Sequence, residues 1–149
     1  CFSVDGTMVA TGSADRFARV FDVATGDLVS EPVEHESKVT AVCFSNDGTT
    51  IATGSDDGSM RICQVSSGKG KVTSLEWTKH EGYRFGTFFS CKNQVKSVCF
   101  SVDGTMVVSG GQERTVLFDV GIGCDVKKFR TSVKLRYNFF AISRPLFIC

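Results

Sequence analysis

Several kinds of chemistry are missing from this sequence. Only two of its 149 residues are histidine, and no two of its seven cysteines stand at C-x-x-C spacing, so it offers no zinc ribbon or redox dithiol. It has no run of about 18 apolar residues, and an ordinary transmembrane helix is therefore not expected. No basic segment leading into an apolar stretch follows Cys1, so no signal peptide is visible. Charge of one sign is also lacking. The 17 Lys and Arg stand against 16 Asp and Glu, a formal net charge of +1, too balanced for a protein that grips nucleic acid by bulk electrostatics.

Short catalytic and ligand-binding motifs are equally sparse. Ser13 and Ser55 do not sit in a G-x-S-x-G elbow. Asp56-Asp57-Gly58 is too short for a calcium loop, which spreads its ligands over about 12 residues. Ser67-Gly68-Lys69-Gly70-Lys71 lacks the spacing of a phosphate-cradling loop. With no positioned nucleophile and base, an enzyme is the least supported class, and neither a cofactor nor a metal is expected.

What is present suits one globular unit. The chain is 42% hydrophobic and 11% aromatic, enough for a core in a domain of ordinary size. Its charge is unevenly spread: all 16 acidic residues lie at or before Asp125 with 11 of the 17 basic ones, whereas the last 24 residues hold six basic residues and no acid. The cysteine count is odd, so the cysteines cannot all pair within the chain. Cys1, Cys43 and Cys99 each precede a Phe-Ser pair, the mark of a small buried hydrophobe that recurs by repetition. Reduced thiols and an intracellular setting, cytoplasm or nucleus, are the expectation.

Repetition is the dominant feature. The nine residues from Cys1 to Val9 recur identically from Cys99 to Val107, and a third copy runs from Cys43 to Thr49. The spacings are 42 and 56 residues; the first is the period of a four-stranded propeller blade, and the second is that period plus 14 residues. Within each unit the pattern reads as short strands. Val39, Val42 and Phe44 lead into an Asp-Gly turn at Asp47-Gly48, followed by the β-branched run Thr50–Ser55, the polar turn Asp56-Asp57-Gly58, and a further strand marked by Met60, Ile62 and Val65.

These residues resemble the WD-repeat β-propellers over roughly residues 1–130. The likeness rests on Phe-Ser-x-Asp-Gly, Thr-Gly-Ser, a turn Asp six residues before an aromatic, and Phe21-Asp22 and Phe118-Asp119 where the family carries Trp-Asp. His35 matches the family's Gly-His histidine, with Glu34 in place of the Gly. The resemblance implies an all-β fold, a partial β-propeller built from four-stranded antiparallel blades, with units near 1–38, 39–94 and 95–130. It also implies structural roles for His35, for the turn residues Asp15 and Asp57, for Ser55, and for Phe21 and Phe118.

The departures carry physical consequences. In the family a Trp, a Ser or Thr hydroxyl, the His and the turn Asp form a buried hydrogen-bonded chain. Here the Trp position holds Phe21, Cys63 and Phe118, none of which replaces an indole donor. The third unit has Glu113 at the Asp position and one residue fewer before Phe118, which predicts a bulge or a shortened turn. The insertion at about 66–94 reads two ways. Either Val72–Thr78 is extra and Arg84–Phe89 forms the outer strand, the favoured alternative, or His80 is the counterpart of His35.

The function implied by the resemblance is a non-catalytic scaffold for other proteins or peptides in a complex, as a fragment of a larger propeller. The candidate contacts by position are Arg16, Lys38, Asp56, Gln112 and Arg114. A competing class is nucleic-acid or anionic-surface binding through the basic, aromatic segment 131–149, whose cations extend back to Lys127.

Overall fold

The computed structural model describes residues 1–65, 74–79, 94–111, 114–121 and 124–130, the segments 74–79 and 124–130 by their backbone. Every regular element among them is a strand, arranged in three antiparallel sheets. The first sheet holds β1 (Met8–Gly12), β2 (Phe17–Asp22) and β3 (Val33–Glu34). The second runs β4 (Val39–Phe44), β5 (Thr50–Ser55), β6 (Ser59–Gln64) and β7 (Ser74–Lys79) in sequence order. The third repeats this with β8 (Val95–Phe100), β9 (Met106–Gly111), β10 (Arg114–Asp119) and β11 (Cys124–Arg130).

Each inner hairpin is set by a turn that satisfies itself. Ser3 donates to the Asp5 carboxylate at 2.6 Å, the same oxygen accepts the Thr7 amide at 3.0 Å, and Ser3 Oγ accepts the Met8 amide at 2.9 Å. The same bonds recur at Ser45, Asp47, Thr49 and Thr50, and at Ser101, Asp103, Thr105 and Met106. Gly6, Gly48 and Gly104 all take φ of 71°, a conformation that costs a residue with a Cβ more than it costs glycine.

The first sheet has three strands, not the four expected of a blade. On the other side of β1 lie the bridge Phe2↔Val9 and a reciprocal pair of hydrogen bonds between Cys1 and Ala10. The favoured reading of the insertion is also corrected. Residues 74–79 are the outer strand β7, hydrogen-bonded to β6 with Trp77 opposite Arg61, so Val72–Thr78 is not extra chain. A hairpin is the shortest way to cover the free edge of β6. Arg84–Phe89 and His80 lie outside the described residues. The residue missing from the third unit is absorbed in a shortened turn: β9 and β10 stay in register from Met106↔Asp119 to Gly110↔Thr115, whereas Gly54 pairs with Met60 in the second sheet.

The core forms between sheets. Directly opposed residues on neighbouring strands project from one face, so each sheet presents cross-strand rows. Ala10 and Val20 of the first sheet pack with the second sheet's row Phe44, Ile51 and Cys63. On the other face of the second sheet, the row Cys43, Ala52 and Ile62 packs with Phe100, Val107 and Phe118 of the third. Glycine makes the close approach possible at both junctions. A Cβ on Gly12 would lie 2.7 Å from Val39 Cγ1, and one on Gly54 would lie 2.5 Å from Val95 Cγ1. Backbone and side-chain bonds cross as well, from the Val39 amide to the Ser13 carbonyl and from Thr40 Oγ1 to the Val95 carbonyl.

Candidate protein-interaction face

Two ends of the sheets differ in character. One carries the three Ser-x-Asp-Gly-Thr turns; the other carries the β1–β2, β5–β6 and β9–β10 turns together with the connections entering β4 and β8. Of the candidate contact residues, Arg16, Lys38, Asp56 and Arg114 belong to this second end, which is organised around His35.

His35 follows β3 and is 1% exposed. Its Nδ1 lies 2.9 Å from Ser59 Oγ and 3.6 Å from Asp57 Oδ2, and its Nε2 lies 2.8 Å from Thr53 Oγ1. Burial, reinforced by the Arg61 cation, pushes its pKa down to about 4 despite the opposing Asp57 charge, so the ring is neutral at pH 7. A neutral ring carries one N–H. Each ring nitrogen faces a hydroxyl, and since a hydroxyl can donate or accept, either tautomer is satisfied between Ser59 and Thr53. Asp57 accepts the Ser59 amide at 2.7 Å and the Glu36 amide at 2.8 Å. Burial raises its pKa, but these bonds outweigh burial and hold it below the ordinary carboxylate value. The chain ties the β3–β4 connection to β5, β6 and their turn.

The partner of His35 on β5 is thus Thr53, not Ser55. Ser55 donates to the Lys38 carbonyl at 3.0 Å and accepts the Asp57 amide at 3.2 Å, bracing the loop before β4. The sequence signal for Thr53 and Ser59 is the Thr-Gly-Ser motif and the polar residue that follows Gly58. Cys63, at the family's Trp position, is buried opposite Ile51, and burial lifts its thiol to about 11, so it stays protonated. Among the described residues no histidine bonds Asp15; it accepts the Phe17 amide and pairs with Arg19 at 2.8 Å, whose guanidinium lies 5.2 Å from the Phe17 ring centre. Phe118 is buried, whereas Phe21 is half-buried. Asp22 and Asp119, which follow them, accept turn amides at Ala24, Thr25 and Gly121.

Around this frame sit the candidate contacts. Arg16 is exposed and adopts φ of 79°, where its counterpart Gly58 adopts 84°. Asp56 is held by two lysines, Lys38 and Lys96, each 2.9 Å from a different carboxylate oxygen. Its side chain is only 7% exposed, against about half for the lysines. Asp56 therefore links the second sheet to the third instead of standing free, and Lys96 joins the set from a position with no sequence signal. Arg114 opens β10 and is half-buried. Gln112 lies outside the described residues, as does 131–149.

This repeating geometry accords with comparisons to known proteins. A family model described as WD domain, G-beta repeat, matches residues 1–22, 26–64 and 82–118. The chain belongs to the WD-repeat family. It is also similar to the Periodic tryptophan protein 2 homolog of Schizosaccharomyces pombe, 31% identical over 140 residues. That match covers 88% of this chain and 16% of the relative. Membership supports a role as a protein-interaction scaffold. Among the described residues, no helix is long and apolar enough to cross a membrane.

Proposed function

We propose that the chain is a non-catalytic scaffold segment that binds other proteins or peptides across the turn end organised by His35. Arg16, Lys38, Asp56, Gln112 and Arg114 are its contact residues. Arg16 carries this reading. An exposed arginine occupies a left-handed turn position where the equivalent residue of the next repeat is glycine, so a charged side chain is displayed at the expense of backbone comfort. Lys38 and Lys96 add cationic surface, oriented by Asp56. The limited share of the relative that is matched and the small number of sheets support placement within a longer propeller. The odd number of cysteines, with no two at C-x-x-C spacing, supports an intracellular setting.

Affinity capture with the protein bearing Arg16→Glu and Arg114→Glu tests the assignment. The expected result is loss of partners that the unaltered protein retains; an unchanged partner set overturns it. The competing reading rests on the six cations of residues 126–149. Salt-sensitive capture of RNA, DNA or acidic vesicles that vanishes when those residues are removed would favour that reading.

A further inference from the structure

The seam between the second and third sheets carries a set of charges that the seam between the first and second does without. Ser13 and Asp15 make the same turn bond as Ser55 and Asp57, so Ala14 is the counterpart of Asp56. Thr40 and Lys96 are each the residue skipped by the register shift at the start of β4 and β8, which makes them counterparts too. The first seam therefore closes with an alanine and a threonine at these two places. Packing of neighbouring sheets does not require the ions.

At the second seam one carboxylate serves two ammonium groups. Lys38 Nζ lies 2.9 Å from Asp56 Oδ2, and Lys96 Nζ lies 2.9 Å from Asp56 Oδ1. One lysine would neutralise the carboxylate; the second leaves the set with a surplus positive charge. Each ammonium has three N–H donors and spends one on Asp56, and among the described residues neither lysine has a further acceptor. Both side chains are about half exposed, while the carboxylate that holds them is nearly buried. Two long side chains are thus already drawn to one point, which lowers the ordering cost that a ligand would otherwise meet.

The surplus is local. Glu34 and Glu36 are exposed at the same end of the sheets, so this end is not uniformly basic. A nucleic-acid backbone, gripped through many phosphate contacts, finds only two cations at the seam and meets these acids beside them. A short run of carboxylates needs no more than the two. We propose that the partner bound at this end presents an acidic peptide segment, one of whose carboxylates bridges Lys38 and Lys96, with Asp56 holding the two lysines for it. This rests on the assignment of the turn end as the contact face and names the chemistry of what it contacts.

Fluorescence anisotropy of a labelled hexaglutamate peptide, titrated with the 149-residue chain at low salt, is the test. Saturable binding that weakens as salt rises is expected, with none for hexaglutamine. Lys38→Met and Lys96→Met keep the aliphatic stems and should each lower the affinity about threefold, whereas Lys134→Met in the basic segment should leave it unchanged. Far-UV circular dichroism verifies that the variants keep their strands, and Lys96→Gln replaces Lys96→Met if that variant does not. Absence of hexaglutamate binding overturns the proposal. So does binding that both lysine variants retain in full, or a single-stranded DNA oligonucleotide that binds more tightly through the same lysines. If hexaglutamate fails to bind while Arg16→Glu with Arg114→Glu still removes captured partners, the acidic class falls and the contact face stands. If that double variant keeps every partner while hexaglutamate binds through the lysines, the wider contact face falls instead.

Discussion

Gly54 on β5 and Val95 on β8 meet so closely that a methyl group on the glycine would stand 2.5 Å from Val95 Cγ1. Val95 is fully buried and cannot retreat. Gly54→Ala should therefore destabilise the chain by about 1–3 kcal/mol through overpacking. Gly12→Ala, facing Val39, should behave alike. At Gly110 the nearest atom is the hydroxyl of exposed Ser97, which can rotate away, so Gly110→Ala should cost less than about 1 kcal/mol. Urea unfolding of the three variants gives the ranking.

Acid should weaken the fold in two stages. The folded-state pKa of His35 is depressed to about 4, whereas the unfolded chain takes up that proton near 6.5. The resulting stability is complete above pH 6.5 and drains away as pH falls towards 4, about 3 kcal/mol in all. Asp5, Asp47 and Asp103 are held below the ordinary value by their Ser hydroxyl, then by the Thr amide, so their contribution is lost only as pH falls below about 4. Unfolding titrations at pH 8, 6 and 5 should show a slope in the wild type that His35→Gln removes.

Relief of the left-handed arginine should stabilise the chain. Arg16→Gly is expected to raise stability by about 0.5–1 kcal/mol, with a higher melting temperature. The same change at an exposed arginine with ordinary backbone angles would lower it. Partner capture should move the other way, because the displayed guanidinium is gone.

The Asp56 link should be modest and salt-dependent. Both lysines are half exposed, and such pairs contribute about 0.2–1 kcal/mol each. A double-mutant cycle with Asp56→Asn and Lys96→Met should give a coupling in that range that shrinks in 1 M salt. A coupling that salt leaves unchanged would show that the contact is not electrostatic.

Legibility followed distance along the chain. The Ser-x-Asp-Gly-Thr turns were readable because every bond in them lies within five residues. The strand β5 was readable in its β-branched run Thr50–Ser55 for the same local reason. Residues joined across sheets were not. Asp56 looked like a surface contact because Lys96 lies 40 residues away. Thr53 and Ser55 are both small hydroxyl residues in one motif, and only the pairing across β5 and β6 shows which faces His35. The outer strand at 74–79 was hidden because Val95–Ser101 copied the inner strand so well that the intervening chain had no register of its own.

The self-satisfied turns also set an order of events. Each closes over a handful of residues, at little loop entropy, before any other sheet is present. The link from Thr40 to the Val95 carbonyl spans 55 residues and must wait until two hairpins exist. Folding of this chain is therefore a matter of finished hairpins searching for neighbours, and since the first and third hairpins begin with the same nine residues, it is the cross-strand pair beyond them, Ala10 and Val20 in one against Val108 and Leu117 in the other, that tells the two apart.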